Sequence, residues 1–255
     1  MNQRPADPIA RDAAADSLAS FPPDGIAVVV GATGAIGAAI ASGLSDSGRF
    51  ETVIGLSRSA APALDLTDEA SIAAAAAAIA AHDRPVRLVF DATGFLHGGG
   101  AASGDMPEKT WRDLDPGRLA HAFAVNTIGP ALLMKYFLPL LARDGKAVFA
   151  TLSARVGSIG DNRLGGWYGY RAAKAALNQM VRSAAIELKR RWPSAICVAL
   201  HPGTVESRLS APFERTGLDV RPPDRAAADL LAVIDGLGAD DTGRFFDHRG
   251  DGIPW

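Results

Sequence analysis

Tyr170 and Lys174 are the two side chains whose types and spacing best suit chemistry. Residues four apart on a helix lie on one face, one turn from each other. A free tyrosine keeps its proton until about pH 10, and a fixed ammonium nearby stabilises the phenolate and lowers that pKa. The pair is therefore predicted to donate and accept a proton near neutral pH. A packed tyrosine beside a solvated lysine is the alternative at this spacing.

A glycine-rich segment, residues 31–37, indicates what such a pair would serve. It follows a β-branched run and opens a helix, so its backbone can approach a pyrophosphate at a helix N-terminus. The segment is predicted to bind a dinucleotide. Its spacing differs from the standard G-x-G-x-x-G pattern, and a strand–helix turn without a ligand is the alternative.

The residues after the next two predicted strands bear on the choice of cofactor. Leu56 is followed by Ser57 and Arg58, where a carboxylate would hold the ribose hydroxyls of NAD. Because arginine pairs bidentately with phosphate, the position favours NADP(H), with NAD(H) possible; a surface arginine on a loop is the alternative. Asp65 is a candidate acceptor for the adenine amino group. Four residues are expected to pass beside the cofactor ribose: Asp91, Ala92, Thr93 and Gly94.

A parallel sheet is needed to position these residues, and the order of elements predicts one. Short apolar runs alternate with helical segments, which predicts a single-domain, Rossmann-like, doubly wound α/β fold with helices on both faces of the sheet. The predicted strands are residues 26–30, 52–56, 86–90, 147–152, 195–200 and 243–247. The predicted helices are residues 38–45, 68–81, 119–141 with a bend near Gly129, 168–191 and 223–237.

The composition restricts the class of protein. The 255 residues, 48% of them hydrophobic and 21% charged, are enough to form one sizeable core. The net charge of −2 argues against a surface that binds nucleic acid. The single cysteine, Cys197, excludes an internal disulfide and lies in an apolar run, so a buried thiol is expected. No apolar run reaches the length of a membrane span, no signal-peptide core opens the chain, and a cytoplasmic protein without a metal site is expected. Residues 1–24 are predicted to be a poorly ordered extension, and residues 25–255 one domain.

Five motifs, in this order, resemble the short-chain dehydrogenase/reductase family. They are residues 31–37, 91–94, 125–129, 170–174 and 201–205, and the likeness covers nearly everything from Ile26 to the C-terminus. More narrowly, residues 153–174 and 243–247 are similar to the C-factor and sniffer-like carbonyl reductase branch.

The resemblance implies a role for each matching residue. Tyr170 would be the acid/base group, Lys174 would lower its pKa and bind the nicotinamide ribose, and Asn126 would hold a helix irregularity and a water in the proton relay. The diphosphate would be lined by Gly31, Thr33, Ile36 and Gly37. The nicotinamide would be covered by Pro202, Gly203, Thr204 and Val205. Since the family often buries two long helices between subunits, a homodimer or homotetramer is implied.

One position departs from the family pattern. The family carries a serine three residues before a glycine, and that serine hydrogen-bonds the substrate carbonyl. Counting back from Gly157 places Ala154 there and leaves Ser153 one residue early, on the other face of a strand. We expect Ser153 to serve after a local bend, with Ser158 as the alternative.

Several aromatic residues are candidates for a pocket wall, although each also suits a purely structural place. They are Tyr168, which lacks a lysine four residues on, and Phe95, His97, Trp111 and Trp167.

The sequence thus predicts an NADP(H)-dependent oxidoreductase that exchanges a hydride with a small carbonyl compound or secondary alcohol, with Tyr170 exchanging the proton. The alternative is a nucleotide-binding regulatory or signalling protein with little turnover, which the substitution at Ala154 supports.

Overall fold

The computed structural model describes residues 17–98, 106–212 and 220–255. Six parallel strands form the central sheet in the order β2-β1-β3-β4-β5-β8. Their bounds are β1 Ile26–Val30, β2 Thr52–Leu56, β3 Val86–Asp91, β4 Ala147–Leu152, β5 Ala195–His201 and β8 Phe245–Asp247. The predicted fold is confirmed, and every predicted strand is present. A second, two-stranded parallel sheet pairs β6 (Thr204–Val205) with β7 (Val220–Arg221).

Helices cover both faces of the sheet. They are α1 Ala35–Asp46, α2 Glu69–Ala80, α3 Pro116–Phe123, α4 Gly129–Phe137, α5 Tyr168–Arg191 and α6 Pro223–Gly236. Successive side chains of β1 point to opposite faces, as a strand requires. Val28 joins a core cluster with residues of α2, α4 and α5, whereas Val29 joins a cluster with residues of α1 and α6.

The long helix predicted over residues 119–141 is interrupted. Between α3 and α4 the chain makes one π-helical turn, Ala124–Ile128, and a short 3₁₀ turn follows α4. Such π turns occur often at functional sites. The interruption lies before Gly129, close to the predicted bend.

The helical stretch Pro116–Leu140 is long and apolar enough, by length and mean hydropathy, to cross a membrane, which the sequence analysis did not expect. The core helix of a globular domain passes the same test. In this fold Thr127 Oγ1 donates to Ala173 O of α5, and Leu133 and Phe137 are fully buried. The stretch therefore has the contacts of a core helix.

Residues 17–24 are not part of a poorly ordered extension, and the prediction for that segment is wrong. Leu18 and Phe21 are both 1% exposed and join the core cluster of α1 and α6. Arg49 Nε donates to Phe21 O at 2.6 Å and Arg49 Nη2 to Ala19 O at 2.9 Å. The segment is held because two apolar side chains reach the core. Residues 1–16 of the predicted extension lie outside the described residues.

Cys197 is buried in β5, as predicted. Burial raises the pKa of its thiol to about 12. The thiol therefore stays protonated near neutral pH.

Candidate active site

The carboxyl ends of β1, β3, β4 and β5 border one cavity of about 630 Å³, which we call the main pocket. In an open parallel sheet, ligands bind beyond the carboxyl ends of the strands. The main pocket brings together twelve residues that were singled out from the sequence: Thr33, Ile36, Arg58, Ala92, Thr93, Gly94, Phe95, His97, Ser153, Tyr170, Lys174 and Pro202.

The glycine-rich turn shapes one end of the main pocket without Gly31 or Gly37 lining it. Gly31 has a φ of +81°, and a Cβ on Gly37 would lie 2.2 Å from Gly31 O. Both positions therefore exclude a side chain, and α1 begins right after this turn at Ala35, with Gly34 as its N-cap and both residues in the pocket lining. The first N–H groups of α1 are the kind of donor that binds a diphosphate, so the turn fits a dinucleotide.

Among the residues predicted to contact the adenosine end, only Arg58 lines the main pocket. Ser57 is buried, with its Oγ 3.2 Å from Ser59 Oγ. Asp65 Oδ1 accepts from Thr67 N at 2.8 Å and from Thr67 Oγ1 at 2.7 Å. These two hydrogen bonds lower the pKa of the Asp65 carboxyl, which is thus engaged within its own loop.

Asp91 lies beneath the pocket rather than in its wall. Its carboxylate is fully buried and accepts from Thr93 Oγ1 at 2.5 Å, Thr93 N at 3.0 Å and Thr151 Oγ1 at 2.6 Å. Burial raises its pKa, which these hydrogen bonds and the nearby Lys174 charge oppose. Asp91 therefore fixes Thr93, which does line the pocket, and is not itself placed to touch a ligand there.

Tyr170 and Lys174 lie in the first two turns of α5 and both line the main pocket. Lys174 is 1% exposed, and its Nζ donates to Leu152 O at 2.7 Å. Burial lowers the pKa of Lys174 to about 8, against the opposing effect of Asp91. The ammonium lies 5.9 Å from the centroid of the Tyr170 ring.

The lowering of the Tyr170 pKa by Lys174 stays a prediction for the phenolate that would form during the reaction. Burial raises the pKa of the Tyr170 phenol. The Lys174 ammonium is bonded to Leu152 O and faces the ring of Tyr170. Tyr170 therefore holds its proton as a donor at neutral pH.

Asn126 lies in the π-helical turn and joins it to the segment after β3. Its Oδ1 accepts from Phe95 N at 2.9 Å, and its Nδ2 donates to Phe95 O at 2.7 Å and to Ala122 O at 3.1 Å. The amide is 1% exposed and has all its partners within the protein. Its position is that of a residue which holds a helix irregularity beside the pocket.

The serines occupy two different environments. Ser153 lines the main pocket and is 3% exposed, and its Oγ donates to Asn178 Oδ1 at 2.7 Å. Ser158 is buried outside that lining, where its Oγ accepts from Asp161 N at 3.1 Å within a turn. Of the two hydroxyls, the structure brings only that of Ser153 to the pocket, and Ala154 is not in the lining.

The comparisons with known proteins agree with this arrangement. A family model of short-chain dehydrogenases/reductases, described as enoyl-(acyl carrier protein) reductase, matches residues 25–219. This chain belongs to the short-chain dehydrogenase/reductase family. It is an oxidoreductase of that family that uses a nicotinamide cofactor.

Two relatives illustrate the range of the family. The chain is 36% identical over 143 residues to the C-signal of Myxococcus xanthus, covering 56% of this chain and 82% of that protein. It is 31% identical over 198 residues to 1-hydroxy-2-glutathionyl-2-methyl-3-butene dehydrogenase of Rhodococcus sp. strain AD45, covering 76% of this chain and 79% of that protein.

Among solved structures, the NADPH-bound carbonyl reductase from chicken fatty liver has a TM-score of 0.75 at 25% identity, over 92% of this chain and 100% of that chain. The carbonyl reductase Sniffer of D. melanogaster has a TM-score of 0.76 at 22% identity, over 91% and 99% of the two chains. At 22% identity, the similarity to Sniffer shows that the two proteins share a fold.

The motif at residues 201–205, which was predicted to cover the nicotinamide, contributes one residue to the wall of the main pocket. Pro202 lines the main pocket, whereas Thr204 and Val205 pair with β7 and, like Gly203, lie outside the lining. Gly203 has a φ of +78°, which a larger residue would strain.

A second cavity of about 310 Å³ adjoins Tyr170 and is mostly apolar; we call it the side pocket. Phe95 and His121 line both pockets. Their rings pack edge-to-face, with 4.5 Å between the ring centroids. His97 lines the main pocket. Trp167 packs its ring 6.4 Å from the ring of Tyr170.

Three of the predicted wall residues are elsewhere, and several wall residues were missed. Trp111 is 62% exposed and lines neither pocket, nor do Trp167 and Tyr168, so those three predictions are wrong. Five lining residues were not predicted from the sequence: His121, Leu152, Ser207, Arg208 and Leu209. His121 lies five residues before Asn126 on the same helical stretch, a signal that could have found it. The residues at 207–209 lie in a loop, and no pattern marks them.

Proposed function

We propose that this protein is an NADP(H)-dependent oxidoreductase that transfers a hydride between nicotinamide and a carbonyl compound or secondary alcohol. The observation that carries the proposal is that Tyr170 and Lys174 share one pocket with the glycine-rich turn and Arg58. A proton donor and a segment suited to bind a dinucleotide thus border the same cavity.

The residues divide the work of carbonyl reduction. A nicotinamide cofactor bound in the main pocket would supply the hydride that the carbonyl carbon receives. Tyr170 gives its phenolic proton to the carbonyl oxygen as negative charge develops there. The phenolate that remains lies beside the Lys174 ammonium, which stabilises it until a proton from solvent replaces the one transferred. In alcohol oxidation the same transfers run in reverse.

Arg58 supports the preference for NADP(H). It is an exposed arginine at the edge of the main pocket, on the loop after β2. A guanidinium there can pair bidentately with the 2′-phosphate. The name of the chicken structure states that it binds NADPH, which agrees with this choice.

Arg58→Ala should weaken NADPH binding by about 1.5–3 kcal/mol, the range for a hydrogen bond to a charged group, and leave NADH binding nearly unchanged. Fluorescence titration of both cofactors measures this. Arg208→Ala is the matched control, because Arg208 lines the same pocket. Equal weakening of NADPH and NADH would contradict the role of Arg58, and loss of NADPH binding only in the Arg208 variant would move that role to Arg208.

A second candidate is a nucleotide-binding regulatory or signalling protein with little turnover. It is favoured by the engagement of the Ser153 proton with Asn178 and by the likeness to a protein named C-signal. NADPH consumption with a panel of aldehydes and ketones separates the two candidates. Turnover supports the reductase, whereas tight NADPH binding without turnover on any compound supports the regulator.

A further inference from the structure

The Asn178 carboxamide is buried beside the main pocket with half of its hydrogen-bonding capacity unused. Asn178 is 3% exposed and lies one turn beyond Lys174 and two turns beyond Tyr170 on α5. Its Oδ1 accepts from Ser153 Oγ at 2.7 Å, and its Nδ2 has no hydrogen-bond partner among the described residues. Buried N–H groups without an acceptor are rare in folded proteins.

A half-turn of the amide gives one of its two N–H groups a partner. The oxygen and the nitrogen of a carboxamide have nearly the same size and exchange places without moving other atoms. After the exchange, Asn178 Nδ2 would donate to Ser153 Oγ across the same short distance. One N–H and the carbonyl oxygen would then lack a partner, instead of two N–H groups, and an unpaired carbonyl oxygen is tolerated better than an unpaired N–H.

The orientation of Asn178 decides what Ser153 can do. A serine hydroxyl has a single proton. When that proton is donated to Asn178 Oδ1, Ser153 can only accept in the main pocket. When Asn178 Nδ2 donates instead, Ser153 Oγ is the acceptor, and its own proton is free to point into the pocket that it shares with Tyr170.

We propose that Asn178 is a positioning residue that donates from Nδ2 to Ser153 Oγ and so directs the Ser153 proton to the carbonyl oxygen of the substrate. The inference rests on the proposed reductase function and extends it. A carbonyl oxygen in the pocket is the acceptor that selects this orientation, because only then do both the Ser153 proton and one Asn178 N–H have partners. It also explains how a serine one residue early in the chain can serve.

Asn178→Asp is the sharpest test. A carboxylate only accepts, so it holds the Ser153 proton and should lower kcat by about 10²–10³-fold, as the loss of an oxyanion donor does. Ser153→Ala should lower kcat by the same factor, and the double variant should be no worse than either single one. Gln179→Glu is the matched control, because it makes the same chemical change on the exposed side of α5 and should leave kcat unchanged.

The pH profile gives a second readout that a packing role would not change. Protonating the new carboxyl turns it into a donor to Ser153, so the ratio of the Asn178→Asp kcat to the wild-type kcat should rise as the pH is lowered from 8 to 5. A ratio independent of pH, or wild-type turnover by Asn178→Asp, would overturn the proposal.

Asn178→Ala keeps the test decisive if the aspartate variant does not fold. Its loss of kcat should disappear in the Ser153→Ala background, because Asn178 acts only through Ser153. A loss that persists there assigns Asn178 to packing and overturns the proposal. Tyr170→Phe in the same assay separates a failure of this inference from a failure of the proposed reductase function. If the wild type shows no turnover, both the reductase function and the inference are wrong. If the wild type turns over and depends on Tyr170, but the Asn178 variants keep wild-type kcat, only the inference is wrong.

Discussion

Lys174, which is buried, and Lys146, which is half-buried, are two lysines with the same chemistry in different places. Burial lowers the pKa of each to about 8. Each donates to backbone carbonyl oxygens: Lys174 to Leu152 O at 2.7 Å, and Lys146 to Ile234 O at 2.7 Å and Asp235 O at 2.8 Å. A lowered pKa therefore does not distinguish the two.

Their neighbours do distinguish them. Lys174 lies between the Asp91 carboxylate and the Tyr170 ring, in the wall of the main pocket. Lys146 lies outside that wall, at the end of α6, where it also contacts Ser20 and the ring of Phe21. A perturbed pKa indicates a functional residue only when that residue shares a cavity with other reactive groups. We therefore assign Lys174 to the reaction. Lys146 is assigned to holding the N-terminal segment in place.

The largest expected difference is in turnover. Lys174→Met should lower kcat by about 10²–10⁴-fold, because the phenolate of Tyr170 loses its neighbouring charge. Lys146→Met should leave kcat unchanged. Steady-state NADPH oxidation by both variants measures this, and similar losses in the two would show that the pocket does not set Lys174 apart.

A smaller difference should appear in stability. Lys146→Met removes the side-chain donor from the carbonyl oxygens of Ile234 and Asp235, of which Ile234 O keeps Leu237 N, and should lower the free energy of unfolding by about 1–3 kcal/mol. Urea unfolding monitored by circular dichroism measures it. Unchanged stability would mean that the N-terminal segment is held by its other contacts, such as those of Arg49.

The smallest effect is the dependence of that stability loss on pH. Below pH 8 both the folded and the unfolded chain carry the Lys146 proton. Between about pH 8 and 10.5 the unfolded chain binds more protons, so this lysine contributes stability that rises with pH. The deficit of Lys146→Met should widen by a few tenths of a kcal/mol per pH unit, since solvent screens a half-buried ammonium. A deficit that narrows from pH 8 to 9.5 would contradict the lowered pKa.

The same contrast explains how much could be predicted from the sequence. The strands and the Tyr170–Lys174 pair follow from periodicity, because apolar runs and the four-residue spacing are local. The place of Ser153 could not be resolved from spacing, because one residue along a strand reverses its face.

Other features depend on contacts between distant segments. Leu18 and Phe21 are two isolated apolar residues in a polar stretch, and nothing periodic marks their burial. His121 and Arg208 reach the pocket through the packing of α3 and a loop. The raised pKa of Tyr170 follows from its burial, which the local sequence does not encode.

The role of Tyr170 is tested by comparing Tyr170→Phe with Tyr168→Phe in NADPH-dependent carbonyl reduction. The two variants lose the same hydroxyl two residues apart, and only Tyr170 lines the pockets. Tyr170→Phe should fold, bind NADPH as the wild type does, and lose about 10²–10⁴-fold in kcat, while Tyr168→Phe keeps wild-type turnover. A folded Tyr170→Phe that reduces carbonyl compounds at the wild-type rate would contradict the proposed mechanism.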